Sequence, residues 1–138
     1  MEVYAAEVLP RSIEAFDGEK VVSLGAGYNH ATAVTESGKL YMWGMKRTLE
    51  PEWMSILDGQ RVVYAACGKW YTAALTDAGS LYTVGWGGSY CLGDGTGGKC
   101  RTRTQPEPVR PLMRANVVHV SCGTNHVAAL VNTRQPRK

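Results

Sequence analysis

Phenylalanine is nearly missing from this chain: there is one, against four tryptophans and seven tyrosines. The aromatic surface therefore comes mostly with a polar handle, which suits seams and exposed faces. Long apolar runs are missing too. None approaches the 18 residues of a membrane-spanning helix, and Met1 to Pro10 has neither the basic start nor the apolar run of a secretory signal. The four cysteines, Cys67, Cys91, Cys100 and Cys122, form no Cys-x-x-Cys pair, so the usual zinc spacing is absent and no metal site is expected. Their even number leaves disulfides open, but the expected setting is intracellular, cytoplasmic or nuclear, with reduced thiols.

What is present is repetition. Val21 to Gly44 reads VVSLGAGYNHATAVTESGKLYMWG, Val62 to Gly85 reads VVYAACGKWYTAALTDAGSLYTVG, and Val117 to Val131 reads VVHVSCGTNHVAALV. The starts lie 41 and 55 residues apart, a period that belongs to solenoids, propellers and arrays. Gly27, Gly68 and Gly123 stay in register, as do Gly38 with Gly79 and Gly44 with Gly85. Such units bury their apolar faces on neighbouring copies, so the number of copies bears on whether a chain folds alone.

Each unit reads as three short antiparallel strands joined by tight turns. In the second copy a Val-Val start runs to Gly68, Tyr71 to Thr76 is too short and too bounded for a helix, and Asp77-Ala78-Gly79-Ser80 is a turn before Leu81 to Gly85. Small residues at Thr32-Ala33 and Ala73-Ala74 allow inner strands to converge, with alternate residues facing opposite neighbours. Pro106, Pro108 and Pro111 point to extended edge segments. Weak helix candidates are confined to Pro51–Leu57 and Val109–Arg114. The boundaries expected are an N-terminal segment over 1–20 that supplies a blade-completing strand through Val3 to Ala6 or is loose chain, then units at 21–61, 62–116 and 117–138, the last one truncated with a basic tail.

Chemistry of its own is not indicated. The glycine-rich stretch from Gly87 to Gly98 lacks G-x-x-x-x-G-K-[ST], and its glycines do not sit between a strand and a helix, so no nucleotide cofactor is expected there. His30 and His126 recur after a glycine turn without a recurring Ser or Asp, which suits a structural histidine better than a catalyst. Cys67 and Cys122 recur immediately before a glycine and read as small packed thiols. Lys99 to Arg103 and Arg134 to Lys138 are basic knots that offer a contact to chromatin or RNA; their plainer role is as solvated loop and tail.

These residues resemble the regulator of chromosome condensation repeat family. Gly68, Ala73-Ala74-Leu75-Thr76, Gly79-x-Leu81-Tyr82-x-x-Gly85, Leu92-Gly93-Asp94-Gly95-Thr96 and Pro108-Val109-x-x-Leu112 look like one full repeat. Cys122-Gly123-Thr124-Asn125-His126 and Tyr41-Met42-Trp43-Gly44 match its pattern best. Departures are Tyr71 where the family has His, Val84 where it has Trp, and Lys46 to Pro51 in place of a Gly-Leu-Gly loop. The resemblance implies an all-β, partial propeller of about two and a half repeats, with four strands per blade. A closed ring then needs other copies or a partner, so an oligomer or obligate subunit is expected.

The function this implies is a non-catalytic protein-interaction or scaffold module. Its working loops are expected at Gly44 to Trp53 and Gly87 to Arg103, with Trp53, Trp86 and Tyr90 as anchors beside Arg101 and Arg103, since aromatic and arginine side chains make strong contact points. Packing between blades is the other role open to Trp86. The alternatives are guanine nucleotide exchange on a small GTPase, which the family's namesake performs, and attachment to chromatin or nucleic acid.

Overall fold

The computed structural model describes residues 9–44, 47–88, 92–93 and 102–133. Val3 to Ala6, Tyr90, Cys91, Cys100, Arg101 and the tail from Arg134 to Lys138 lie outside the described residues.

The chain forms two four-stranded antiparallel meanders and a two-stranded remainder. The first sheet is β1 (Val21–Ala26), β2 (His30–Thr35), β3 (Leu40–Gly44) and β4 (Thr48–Trp53). The second is β5 (Val62–Cys67), β6 (Tyr71–Thr76), β7 (Leu81–Trp86) and β8 (Thr102–Pro108), and β9 (Val117–Cys122) pairs with β10 (Val127–Val131). Hydrogen-bonded neighbours follow chain order throughout. Within 9–20 there is no strand, only a 3-10 turn at Glu14–Phe16, and Phe16 meets the ring of Tyr41 edge-on at 5.2 Å.

The last unit shows two strands among the described residues, while in the first two the three expected strands are joined by a fourth, as the family resemblance implies. Its sequences, TLEPEW and TRTQPEP, lie outside the shared text and carry proline, which hides them from a strand pattern. Both are outermost strands, where a missing N–H breaks no ladder. The weak helix candidates become single 3-10 turns, at Ser55–Leu57 and Arg110–Leu112. Segments this short, without a continuing apolar face, cannot offset helix nucleation.

The Val-Val start has a structural reason in every copy. Pairing skips the second valine: Val21 faces Thr35 while Ser23 faces Val34, and Val62 faces Thr76 while Tyr64 faces Leu75. In the last pair Val131 faces Val117 and Leu130 faces His119. Val22, Val63 and Val118 are therefore bulged outward. The first valine stitches blades together, for Val62 N–H donates to Gly38 O at 3.0 Å and Val117 N–H to Gly79 O at 3.1 Å. Gly38 and Gly79 hold φ of +91° and +80°, and a Cβ at Gly79 would lie 2.3 Å from Asn116 Oδ1, the residue just before β9.

The core lies between sheets. Val34, Leu40, Met42, Met54 and Leu57 of the first blade pack against Val62, Ala65, Ala74 and Val84 of the second. Ala73, Leu75 and Leu81 face the other way, onto Val117 and Val120. The expected alternation along β6 is thus observed, with Ala74 turned to one neighbour and Ala73 and Leu75 to the other. β6 is buried along its whole length. The outward faces at the two ends are open: Leu24 of β1 is 72% exposed and Leu130 of β10 is 63% exposed. Each end presents one half of an interface that the chain completes twice internally.

Candidate partner-binding face

In an up-and-down sheet, the β1–β2 and β3–β4 loops emerge at the same end. Pairing of His30 with Gly44 and of Tyr71 with Gly85 fixes this in both blades. That end gathers Tyr28, Asn29, Arg47, Lys69, Trp70 and Trp86. Tyr28 of the first blade and Trp70 of the second have ring centroids 5.3 Å apart. Lys69 Nζ sits 5.1 Å from the Tyr28 ring and 5.7 Å from that of Trp70, so one cation binds both blades' aromatic faces. Tyr28 is 71% exposed.

Beside this cluster a cleft of about 670 Å³ opens between the first and second blades. Trp70, Val84 and Trp86 form its apolar wall, and Asn29, Arg47 and Arg103 line it as well. Arg47 spans the gap: Nη1 donates to Thr104 O at 2.5 Å, and Nη2 lies 3.6 Å from Glu52 Oε2. A second cavity, of about 600 Å³, is lined by Tyr28, Cys67, Lys69, Cys122 and Thr124.

The residues expected to act together are divided by the fold. Trp86 and Arg103 line the same cleft. Trp53 stands at the opposite end of its sheet, paired with Tyr41 and with Lys39 Nζ 5.2 Å from its ring centroid. Arg103 is no exposed contact point; its side chain is 5% exposed, with Nε 2.9 Å from Glu107 Oε2 and Nη1 2.9 Å from Thr83 Oγ1. It returns into β8 facing the sheet interior, where a guanidinium requires a carboxylate partner. Tyr90 and Arg101 lie outside the described residues. Tyr28, Lys69 and Trp70 were not singled out as contacts from sequence. Their signal was positional: they occupy the two places between the repeated glycine and the repeated strand start, a loop tip in every copy.

The recurring His position is a joint between blades. His30 is buried, its ring lies over Gly27, and Nε2 is 2.9 Å from Thr72 Oγ1 of the second blade. Tyr71 takes the same place over Gly68 and reaches onward, its hydroxyl donating to Gly123 O at 2.9 Å and to His126 O. His126 lies over Gly123 and is exposed. At Gly44 and Gly85 the backbone turns out of β3 and β7 beside these joints, with φ of +85° and +116°. Cys67 is half-buried, with Sγ 3.4 Å from Thr32 Oγ1, and burial raises its pKa. Cys122 Sγ is 3.5 Å from Ala66 O.

Burial lowers the pKa of His30, against a smaller opposing effect of a backbone hydrogen bond with Tyr71. The sign follows from linkage. The folded ring holds its proton less tightly than the unfolded ring, whose pKa is 6.5, so unfolding takes up a proton below that pH. Stability due to this site is full above 6.5 and declines as the pH falls, until the folded ring also protonates. The expected result is that His30→Gln flattens the loss of denaturant midpoint between pH 7 and pH 5. An unchanged slope would show that the joint does not depend on a neutral imidazole.

The fold defines a segment of an open β-propeller, with blades that stitch to one another and a loop face at one end. The sequence agrees: residues 21–45 and 78–130 each match a model of the regulator of chromosome condensation (RCC1) repeat, and the chain belongs to that family. Curated relatives from Arabidopsis thaliana are similar over short stretches. The ultraviolet-B receptor UVR8 is 45% identical over 40 residues, covering 29% of this chain and 9% of that protein. The mitochondrial RCC1 domain-containing protein RUG3 is 40% identical over 43 residues, 31% of this chain and 10% of the relative. Among solved structures, human WBSCR16 is similar with a TM-score of 0.71 and 26% identity, over 85% of this chain and 33% of that one. Prp20p of Saccharomyces cerevisiae, described for its binding to Gsp1p and histones, gives a TM-score of 0.74 at 18% identity, over 90% of this chain and 32% of its own. The chain thus spans about a third of the solved relatives it matches. No helix among the described residues is long and apolar enough to cross a membrane.

Proposed function

We propose that this chain is a protein-docking segment of an RCC1-type propeller, and that it takes its partner on the loop face around Trp70 and Trp86. The observation that carries this reading is the gathering of Tyr28, Lys69, Trp70, Trp86 and Arg47 from two blades around one inter-blade cleft. Aromatic and arginine side chains beside a concave apolar wall supply the contact energy of protein interfaces. The work is docking rather than catalysis. His30, the side chain best suited to act as a base, is occupied as an inter-blade joint. The open faces of β1 and β10 fit a subunit or a piece of a larger propeller, completed by further blades. An intracellular setting, nuclear or cytoplasmic, goes with this reading.

Nucleotide exchange on a small GTPase, or attachment to chromatin, is the second reading. It is favoured by the likeness to Prp20p, which binds Gsp1p and histones. One experiment serves both. Binding of nucleotide-free Gsp1p and of histone octamers is measured for the chain and for Lys69→Glu, Trp70→Ala and Trp53→Ala, with release of labelled GDP followed in parallel. The expected result is binding that the first two variants weaken by about tenfold or more and that Trp53→Ala, at the other end, leaves intact. GDP release above the spontaneous rate selects exchange; binding without it selects docking alone. Binding that is absent, or indifferent to Lys69 and Trp70, would refute the loop face as the working surface.

A further inference from the structure

The chemistry of the partner is written in the charge of the loop face. Among the described residues, the loops at this end (27–29, 47, 68–70, 87–88 and 123–126) carry Arg47 and Lys69 and no aspartate or glutamate. The opposite end has Glu14, Asp17, Glu19, Glu36, Asp58 and Asp77 among its connections and turns. That end also carries Lys20, Lys39, Arg61, Arg110 and Arg114, of which Lys39 pairs with Glu19 at 3.3 Å and Lys20 with Glu36 at 3.9 Å. The nearby acids belong to the edge strands β4 and β8: Glu52 and Glu107 face Arg47 and Arg103, and Glu50 of β4 is exposed beside them. Among the described residues Lys69 pairs with no acid, and the rings of Tyr28 and Trp70 lie beside its charge. A cation in that setting keeps its attraction for an incoming carboxylate.

The cleft next to Lys69 has room for large apolar side chains, since about 670 Å³ lies within the range of small-ligand sites. Its wall is indole and valine. We infer that the loop face binds an acidic protein segment that carries a large apolar residue: the apolar side chain enters the cleft between Trp70 and Trp86, and flanking carboxylates engage Lys69 and Arg47. This rests on the docking reading above and names the partner's chemistry within it. Arg47 is already a strut to Thr104 O, so Lys69 is the cation more available to the partner.

The probe is a fluorescein-labelled peptide, Asp-Glu-Glu-Leu-Phe-Glu-Glu-Asp, titrated with the whole chain by anisotropy. One control peptide has every acid replaced by lysine, and a second has Leu-Phe replaced by Gly-Ala. The expected result is that the acidic peptide binds, weakens with salt, and loses about tenfold in affinity both with Gly-Ala and with Lys69→Glu. Lys69→Glu should in turn improve binding of the lysine peptide, which a variant that merely misfolded would not do. Equal binding of the two charge types, or indifference to Lys69→Glu, overturns the inference. So does tighter, Lys69-dependent binding of a single-stranded oligodeoxynucleotide, which would assign the cation to phosphate. If Gsp1p or histones dock on this face while the acidic peptide does not bind, the inference falls alone; if none binds, the docking reading falls with it.

Discussion

Replacing Tyr71 with alanine is expected to cost about 3–5 kcal/mol of stability, the larger of two effects on how the blades hold together. Tyr71 is fully buried, and its ring covers Gly68 so closely that a Cβ there would sit 2.1 Å from Cε1. Removing the ring leaves a void at the junction of the second blade with the third. The hydroxyl adds a separate part. It donates to Gly123 O and His126 O, and Tyr71→Phe, which removes only those bonds, should cost about 0.5–1.5 kcal/mol. Denaturant midpoints of the three proteins separate cavity from hydrogen bond. A loss below about 1 kcal/mol for the alanine variant would mean that the junction repacks and that Tyr71 is not its keystone.

Gly85→Ala should cost about 2–4 kcal/mol, and the comparison with Gly59→Ala shows why. Both glycines have positive φ, +116° and +87°, which an L side chain adopts only at a cost of about 1–2 kcal/mol. They differ in space. A Cβ at Gly59 meets nothing within 4 Å, whereas one at Gly85 would be 2.4 Å from Trp70 O and 2.7 Å from Tyr71 Cα. Those are backbone atoms of the neighbouring strand, so relief requires β6 and β7 to separate at the loop end. The expected signature is a midpoint loss at Gly85 about twice that at Gly59 or more. Trp70 and Trp86 flank the displaced backbone, so their fluorescence should change as well. Equal losses at the two sites would show that the conformation alone, and not the close approach, demands glycine there.

The repeat made much of this legible beforehand. Its register placed the three inner strands of each blade, because Val-Val, the small Ala-Thr run and the turn glycine each answer a local demand: a bulge, close packing and a left-handed turn. Thr48–Trp53 was not legible as a strand from its own residues, since an edge strand that tolerates proline carries little β signal, whereas Pro106 and Pro108 marked the extended edge segment that became β8. Tyr71 was legible as a departure at a repeated position but not as a joint. That role depends on carbonyls 52 and 55 residues away. Arg103 shows the reverse failure. An arginine in a basic, glycine-rich stretch reads as solvent-facing, and only the return of the chain into β8, with Glu107 four residues on along the same strand, buries it.

What the sequence by itself determined is the unit: its three inner strands, its turns and its family. All of these rest on interactions within a few residues, repeated in register. What only the tertiary structure decided is which side chains share a face. Trp53 and Trp86 are equally plausible anchors along the chain, yet the up-and-down path of the strands sends them to opposite ends. Tyr28, Lys69 and Trp70, from two different repeats, meet because the inter-blade stitch sets one loop tip against the next. The acids of the described loops fall at one end for the same physical reason: strand direction alternates, so every second loop falls at the same end, and a local sequence has no means of recording which end that is.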